Sequence, residues 1–145
     1  MNNKTKIMTK GWVHKICRKI YNELGPYHTE TVYQNAMEHE LKKEGFNYQR
    51  EKQVPINYDG IVIGQGRIDF YVEPQYVLEF KAVATNLYTK DGEVNKHGYI
   101  QKYQHQVMKY LQSLEIKKGY LINFNTGTKA ELEVIEVINP LLGDE

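Results

Sequence analysis

The stretch GRIDFYVEPQYVLEFKAV, residues 66 to 83, constrains the fold more than any other part of the chain. It reads as two β-strands of aromatic and β-branched residues meeting at Glu73-Pro74-Gln75, yet it carries Asp69, Glu79 and Lys81 within those strands. Charged side chains are costly to bury unless they are paired or bind a metal. If Arg67 to Val72 and Tyr76 to Ala82 form an antiparallel hairpin with its turn centred on Pro74, Asp69 stands opposite Glu79 and Arg67 opposite Lys81. Directly opposed residues share a face of the sheet. One face then collects Ile68, Phe70, Val72, Tyr76, Leu78 and Phe80, and the other gathers two carboxylates and two cations. A slip of one residue would scramble both faces, so the pattern supports this register.

Around the hairpin the hydrophobic period alternates between helix and strand. Residues 9 to 24 place Trp12, Val13, Ile16, Ile20 and Leu24 on one helical stripe that ends at Gly25-Pro26. A second helix runs from about His28 to Glu44 and stops at Gly45, a natural C-terminal glycine. Phe46 to Tyr58 reads as a strand, Asp59-Gly60 as a hairpin turn, and Ile61 to Ile63 as a short return strand. Residues 84 to 98 read as a polar loop. Tyr99 to Leu114 forms a third helix, with Tyr99, Tyr103, Val107, Tyr110 and Leu114 on its buried stripe, and Tyr120 to Phe124 and about Leu132 to Ile138 are closing strands. Helices, three or four strands, a helix and two more strands describe an α/β chain with a mixed sheet. A length of 145 residues suits one domain, taken as 1–145, with a basic helical N-terminus over 1–24.

Composition narrows the function. The single cysteine, Cys17, excludes an internal disulfide and a cysteine-rich zinc cluster, and beside Ile16 and Ile20 it reads as a small buried residue. No apolar run approaches the length of a bilayer span, and MNNKTKIMTKG lacks the core of a signal peptide, so an intracellular protein without a membrane partner is expected. The net charge is only +1, but it is unevenly spread. Residues 1 to 24 carry six Lys or Arg against Glu23 alone, whereas 131 to 145 carry five acids and no base. A basic arm of this kind suits phosphates, as it suits a solvated helix face.

Two carboxylates a few ångströms apart repel unless a cation lies between them, and oxygen ligands are what Mg²⁺ or Mn²⁺ prefers. A lysine on the same face can hold an attacking water or steady a transition-state phosphate. A surface salt-bridge lattice would explain the same spacing. The second helix adds Glu30, which points in nearly the direction of Met37 and Leu41, with Tyr33 at the edge of that stripe. An acid at a helix N-terminus also complements the dipole. Gln106 flanks the stripe of the third helix, where it can bond to backbone or orient water or phosphate. Of the histidines, His28 alone lies near Glu30 in sequence, and His105 is expected to face solvent.

Read together, LGPYHTETVY (24 to 33), GRIDFYVEPQYVLEFKAV (66 to 83), YQHQVMKYL (103 to 111) and GYLINF (119 to 124) resemble the PD-(D/E)XK nuclease superfamily, and within it the small GxxExxY proteins. Tyr27 stands where that motif has its first glycine. The resemblance implies a restriction-endonuclease-like α/β core, a mixed β-sheet flanked by helices. It implies that Asp69 and Glu79 hold Mg²⁺ or Mn²⁺ with the backbone carbonyl of Phe80, that Lys81 is the catalytic lysine, and that Glu30 completes the metal site. Gln106 and Tyr110 resemble the Q-x-x-x-Y element of exonuclease-type members. The expected activity is metal-dependent hydrolysis of phosphodiester bonds, in DNA, with Arg67, Tyr110, Tyr33, Lys90 and Lys96 touching nucleic acid. A homodimer is the assembly implied, since many nucleases of this fold pair up. The alternatives are a nuclease-like scaffold that only binds nucleic acid or protein, and a purely structural oligomerisation domain.

Overall fold

The computed structural model describes residues 6–74, 76–84, 100–127 and 131–142. Helix α1 (Lys10–Leu24) starts where the Thr9 hydroxyl accepts a hydrogen bond from the Trp12 N–H at 3.1 Å, and it buries Val13, Ile16, Cys17, Ile20 and Tyr21. Helix α2 (Glu30–Glu44) ends at Gly45, whose φ of 82° is the left-handed conformation that glycine adopts freely. The strands are β1 (Tyr48–Tyr58), β2 (Ile61–Val72), β3 (Tyr76–Lys81), β4 (Lys118–Asn123) and β5 (Glu133–Ile138), with helix α3 (Ile100–Ser113) between β3 and β4. Among the described residues no helix is long and apolar enough to cross a membrane.

The five strands form one sheet in the order β1-β2-β3-β4-β5. Only the β3–β4 pairing is parallel, so the sheet is mixed as expected. Two apolar layers cover it. On one face Phe70, Val72, Leu78, Phe80, Tyr120, Ile122 and Phe124 pack against α1 and α2. On the other Val77, Leu121, Ile135 and Val137 pack against Val107, Tyr110 and Leu111 of α3. The middle strand β3 is covered on both sides, which is why Val77, Leu78, Glu79 and Phe80 are all buried.

Two expectations need correction. The segments Ile61 to Ile63 and Arg67 to Val72 are one continuous strand, because Gly64 and Gly66 sit in the ladder opposite Ile56 and Val54 instead of breaking it. Ile68 does not share a core layer with Phe70 and Val72. It packs in the α3 layer, so regular alternation is broken at Asp69. At the same level of β1, Glu51 takes φ 57°, between the paired positions Arg50↔Phe70 and Lys52↔Ile68.

Candidate active site

The break at Asp69 coincides with a parting of strands. The β2–β3 ladder pairs Phe70↔Leu78, Tyr71↔Val77 and Val72↔Tyr76, the register that a turn centred on Pro74 predicts. Beyond Phe70, β2 stays with β1 and β3 stays with β4, leaving a split between them. Asp69 and Glu79 occupy its first step. Each carboxylate accepts a hydrogen bond from the opposite backbone: the Asp69 N–H donates to Glu79 Oε1 at 3.0 Å, and the Phe80 N–H donates to Asp69 Oδ2 at 2.7 Å. Side-chain oxygens thus replace the missing ladder, and neither backbone donor is left unpaired.

The split opens a cavity of about 480 Å³ lined by Glu30, Thr31 and Gln34 of α2, Glu51 of β1, Gln65, Arg67 and Asp69 of β2, Glu79 and Lys81 of β3, and Gln106 and Tyr110 of α3. Helices from both faces of the sheet reach it because the sheet itself is parted there. Glu30, Asp69, Glu79, Lys81, Gln106, Arg67 and Tyr110 are therefore brought together. Glu30 stands solvent-exposed at the cavity's edge, while Met37 and Leu41 farther along the helix are buried.

Burial dominates the electrostatics. Glu79 is 3% exposed, and its carboxyl is pushed up to about 8, first by desolvation and then by the adjacent Asp69 charge. Burial also raises Asp69, against the Phe80 N–H and the Lys81 charge, which favour its ionised form. Glu30 is raised by desolvation in the cleft, with Lys81 opposing. The Lys81 ammonium lies 4.4 Å from the centre of the Tyr103 ring, a contact that holds a cation without consuming its charge.

Tyr110 organises the α3 side. Its hydroxyl accepts from the Arg67 N–H at 3.2 Å and from Gln106 Nε2 at 3.2 Å. Gly66 makes room for it, since a Cβ at that position would lie 2.7 Å from Tyr110 Cε1. The glycine that opens the GRID stretch thus serves close packing.

Several expected residues sit elsewhere. Tyr33 is fully buried, its ring stacked on Phe124 at 4.3 Å and its hydroxyl donating to the Gly25 carbonyl. It closes the corner between α1 and α2 and offers no surface to nucleic acid. His28 stays at that corner, bonded to the Leu24 carbonyl and packed edge-on against Tyr33, and does not line the cavity. Lys90, Lys96 and nearly all of the polar loop lie outside the described residues. Conversely, Glu51, Thr31, Gln34 and Gln65 line the cavity without having been singled out. A bulge between Ile56 and Asn57 shifts the β1–β2 register by one and sets Glu51 level with Asp69. Nothing in the residue pattern announces that shift.

The donors suit a hard divalent ion. Asp69 and Glu79 supply oxygen, and the Phe80 carbonyl should aim into the split, because a strand residue's N–H and C=O point to the same edge and the Phe80 N–H meets Asp69. The next carbonyl, of Lys81, accepts from Phe124 N–H on the β4 side. Among the described residues no three His, Cys, Asp or Glu side chains are grouped as a ready-made metal site. Mg²⁺ commonly uses only one or two carboxylates, with water and substrate phosphate completing its shell, so the pair fits that habit.

Comparisons agree with this architecture. A family model described as the PD-(D/E)XK nuclease superfamily, whose members generally use divalent metal ions, matches residues 8–137. The structure reported as "Crystal structure of SSO0001" superimposes with a TM-score of 0.53 at 22% identity, over 77% of this chain and 50% of that one, so the chain spans about half that protein's length. An alkaline exonuclease (LHK-Exo) from Laribacter hongkongensis gives a TM-score of 0.44 at 13% identity, over 94% of this chain and 75% of the exonuclease. No curated protein matches significantly. A mixed sheet flanked by helices is the restriction-endonuclease-like α/β fold, and with the family model spanning nearly its whole length the chain belongs to the PD-(D/E)XK nuclease superfamily.

Proposed function

We propose that the protein is a metal-dependent nuclease that hydrolyses phosphodiester bonds in DNA, and that within the superfamily it stands with the small GxxExxY proteins. The observation that carries this reading is the cavity in the β2–β3 split, which gathers four carboxylates with Arg67, Lys81 and Gln106. Glu79, buried in the central strand beside Asp69, costs stability there, and a divalent cation offsets it.

Asp69, Glu79 and the Phe80 carbonyl would hold the ion, and Glu30, across the cleft, would bind water in its outer shell. When bound, a divalent ion supplies Lewis acidity and neutralises charge on the attacked phosphate. The remaining work falls to the chain's own side chains. Lys81 Nζ donates to a phosphate oxygen as negative charge builds there. Gln106, held by its bond to Tyr110, orients the incoming water or phosphate. Arg67, exposed beside the cleft, takes a neighbouring phosphate.

The test is to incubate the protein and its Asp69→Ala variant with linear duplex, closed circular and single-stranded DNA, in Mg²⁺, Mn²⁺ or EDTA. Metal-dependent cutting by the parent alone is expected, and the circular substrate separates internal cutting from digestion at ends. Equal cutting by the variant, or none by the parent on any substrate, counts against the proposal.

A further inference from the structure

A second, larger cavity adjoins the acid cleft, and its chemistry is different. It encloses about 1130 Å³ and shares Lys81, Gln106 and Tyr110 with the smaller one. Its other walls are Pro55, Ile56 and Asn57 of β1 on one side and one stripe of α3 on the other, where Lys102, His105, Lys109 and Gln112 recur at helical spacing. Among the described residues no carboxylate lines it. The two cavities therefore divide the charge: acids in the split, cations along the groove that leads into it.

The walls also differ from one another. Lys102 and Lys109 are exposed on the helix side. The strand side brings Pro55 and Ile56, the latter 50% exposed, and on the helix side Tyr103 carries Lys81 over its ring. A duplex presents phosphates outward and keeps its bases stacked inside, so it would leave the apolar wall unused. A single strand offers both parts at once, phosphates to the lysines and base faces to Pro55 and Ile56.

We infer that this groove is the track for one polynucleotide strand, delivering its backbone past Lys102 and Lys109 to Lys81. The inference rests on the nuclease reading for its direction, but its binding chemistry stands apart from turnover. Among the described residues the groove is the place where cations, an aromatic ring and the acid cleft meet in one surface.

The test is fluorescence anisotropy in EDTA, where metal-dependent cutting is suppressed. Labelled single-stranded DNA, single-stranded RNA and blunt duplex DNA are titrated across a salt series. Three proteins are compared: the parent, Lys102→Gln/Lys109→Gln, and the charge-matched control Lys15→Gln/Lys42→Gln, which alters exposed lysines of α1 and α2. The parent should bind single strands more tightly than duplex. The groove variant should lose roughly tenfold in single-strand affinity, with a salt slope shallower by about 1.4 for two lost phosphate contacts, while the control matches the parent. The DNA and RNA arms show which sugar the track accepts. Equal losses in both variants, duplex binding as tight as single-strand binding, or no binding of any oligonucleotide overturns the inference. A parent that cuts DNA while the groove variant binds normally would sink the track and spare the nuclease. A parent that binds strands through these lysines yet never cuts would do the reverse.

Discussion

Replacing Glu79 by glutamine should stabilise the protein while abolishing the proposed nuclease activity. The carboxyl is 3% exposed in the central strand, and its pKa stands at about 8 against an ordinary 4.5. The folded state therefore keeps a proton that the unfolded state has released, throughout the window from about pH 4.5 to about 8. Stability is full below that window and falls as pH rises through it, because the native state binds more protons than the unfolded one. At about 1.4 kcal/mol per tenfold in proton affinity, the cost is about 3 kcal/mol near pH 7 and about 5 kcal/mol above pH 8. Glutamine keeps an oxygen for the Asp69 N–H, and its NH₂ stands in for the protonated oxygen beside Asp69. It has no charge to desolvate. In EDTA the Glu79→Gln variant should melt roughly 10 °C above the parent near pH 7, taking about 3 °C per kcal/mol for a domain of this size. The two should converge near pH 4.5. Thermal unfolding across a pH series reads this directly. Curves that stay parallel at every pH, or a variant less stable than the parent near neutrality, would refute the reasoning. The acid would then be a structural asset, with no stability given up for chemistry.

Other substitutions probe the supports of the site. Lys81→Ala should leave the melting temperature within a few degrees of the parent and remove the proposed nucleic-acid cleavage; a variant that cuts at the parental rate would rule out the role given to this lysine. Gly66→Ala puts a Cβ 2.7 Å from Tyr110 Cε1, so about 1–3 kcal/mol of stability should be lost in urea unfolding, together with activity as Gln106 loses its anchor. An unchanged midpoint would mean that Tyr110 moves aside freely. Tyr33→Phe removes the bond to the Gly25 carbonyl and should cost about 1 kcal/mol without altering oligonucleotide affinity. A selective loss of affinity would put Tyr33 back at the substrate.

The β2–β3 hairpin was legible because one turn residue, Pro74, set the register, and the two-residue period then sorted acids from apolar side chains. The helix ends at Gly25 and Gly45 were legible for a similar local reason: both glycines take positive φ. What stayed hidden depends on departures from regular geometry. The bulge at Ile56/Asn57 brings Glu51 level with Asp69, and the left-handed backbone of Glu51 itself has no signature in a residue type that seldom adopts it. Ile68 packs in the α3 layer just where β2 parts from β3, a break that a two-residue period does not foresee. Tyr33 misled because a tyrosine on a helix edge suits packing and ligand contact equally, and only the neighbouring Phe124, from a strand far along the chain, decides between them.

Central to this account is that the Asp69–Glu79 pair holds a divalent ion. Isothermal calorimetry of Mn²⁺ binding, on the parent and on an Asp69→Asn/Glu79→Gln variant, decides whether it does. The parent should bind Mn²⁺ saturably, and the double variant should lose that binding while remaining folded. Binding of equal strength in both proteins, or no saturable heat in the parent, would contradict it.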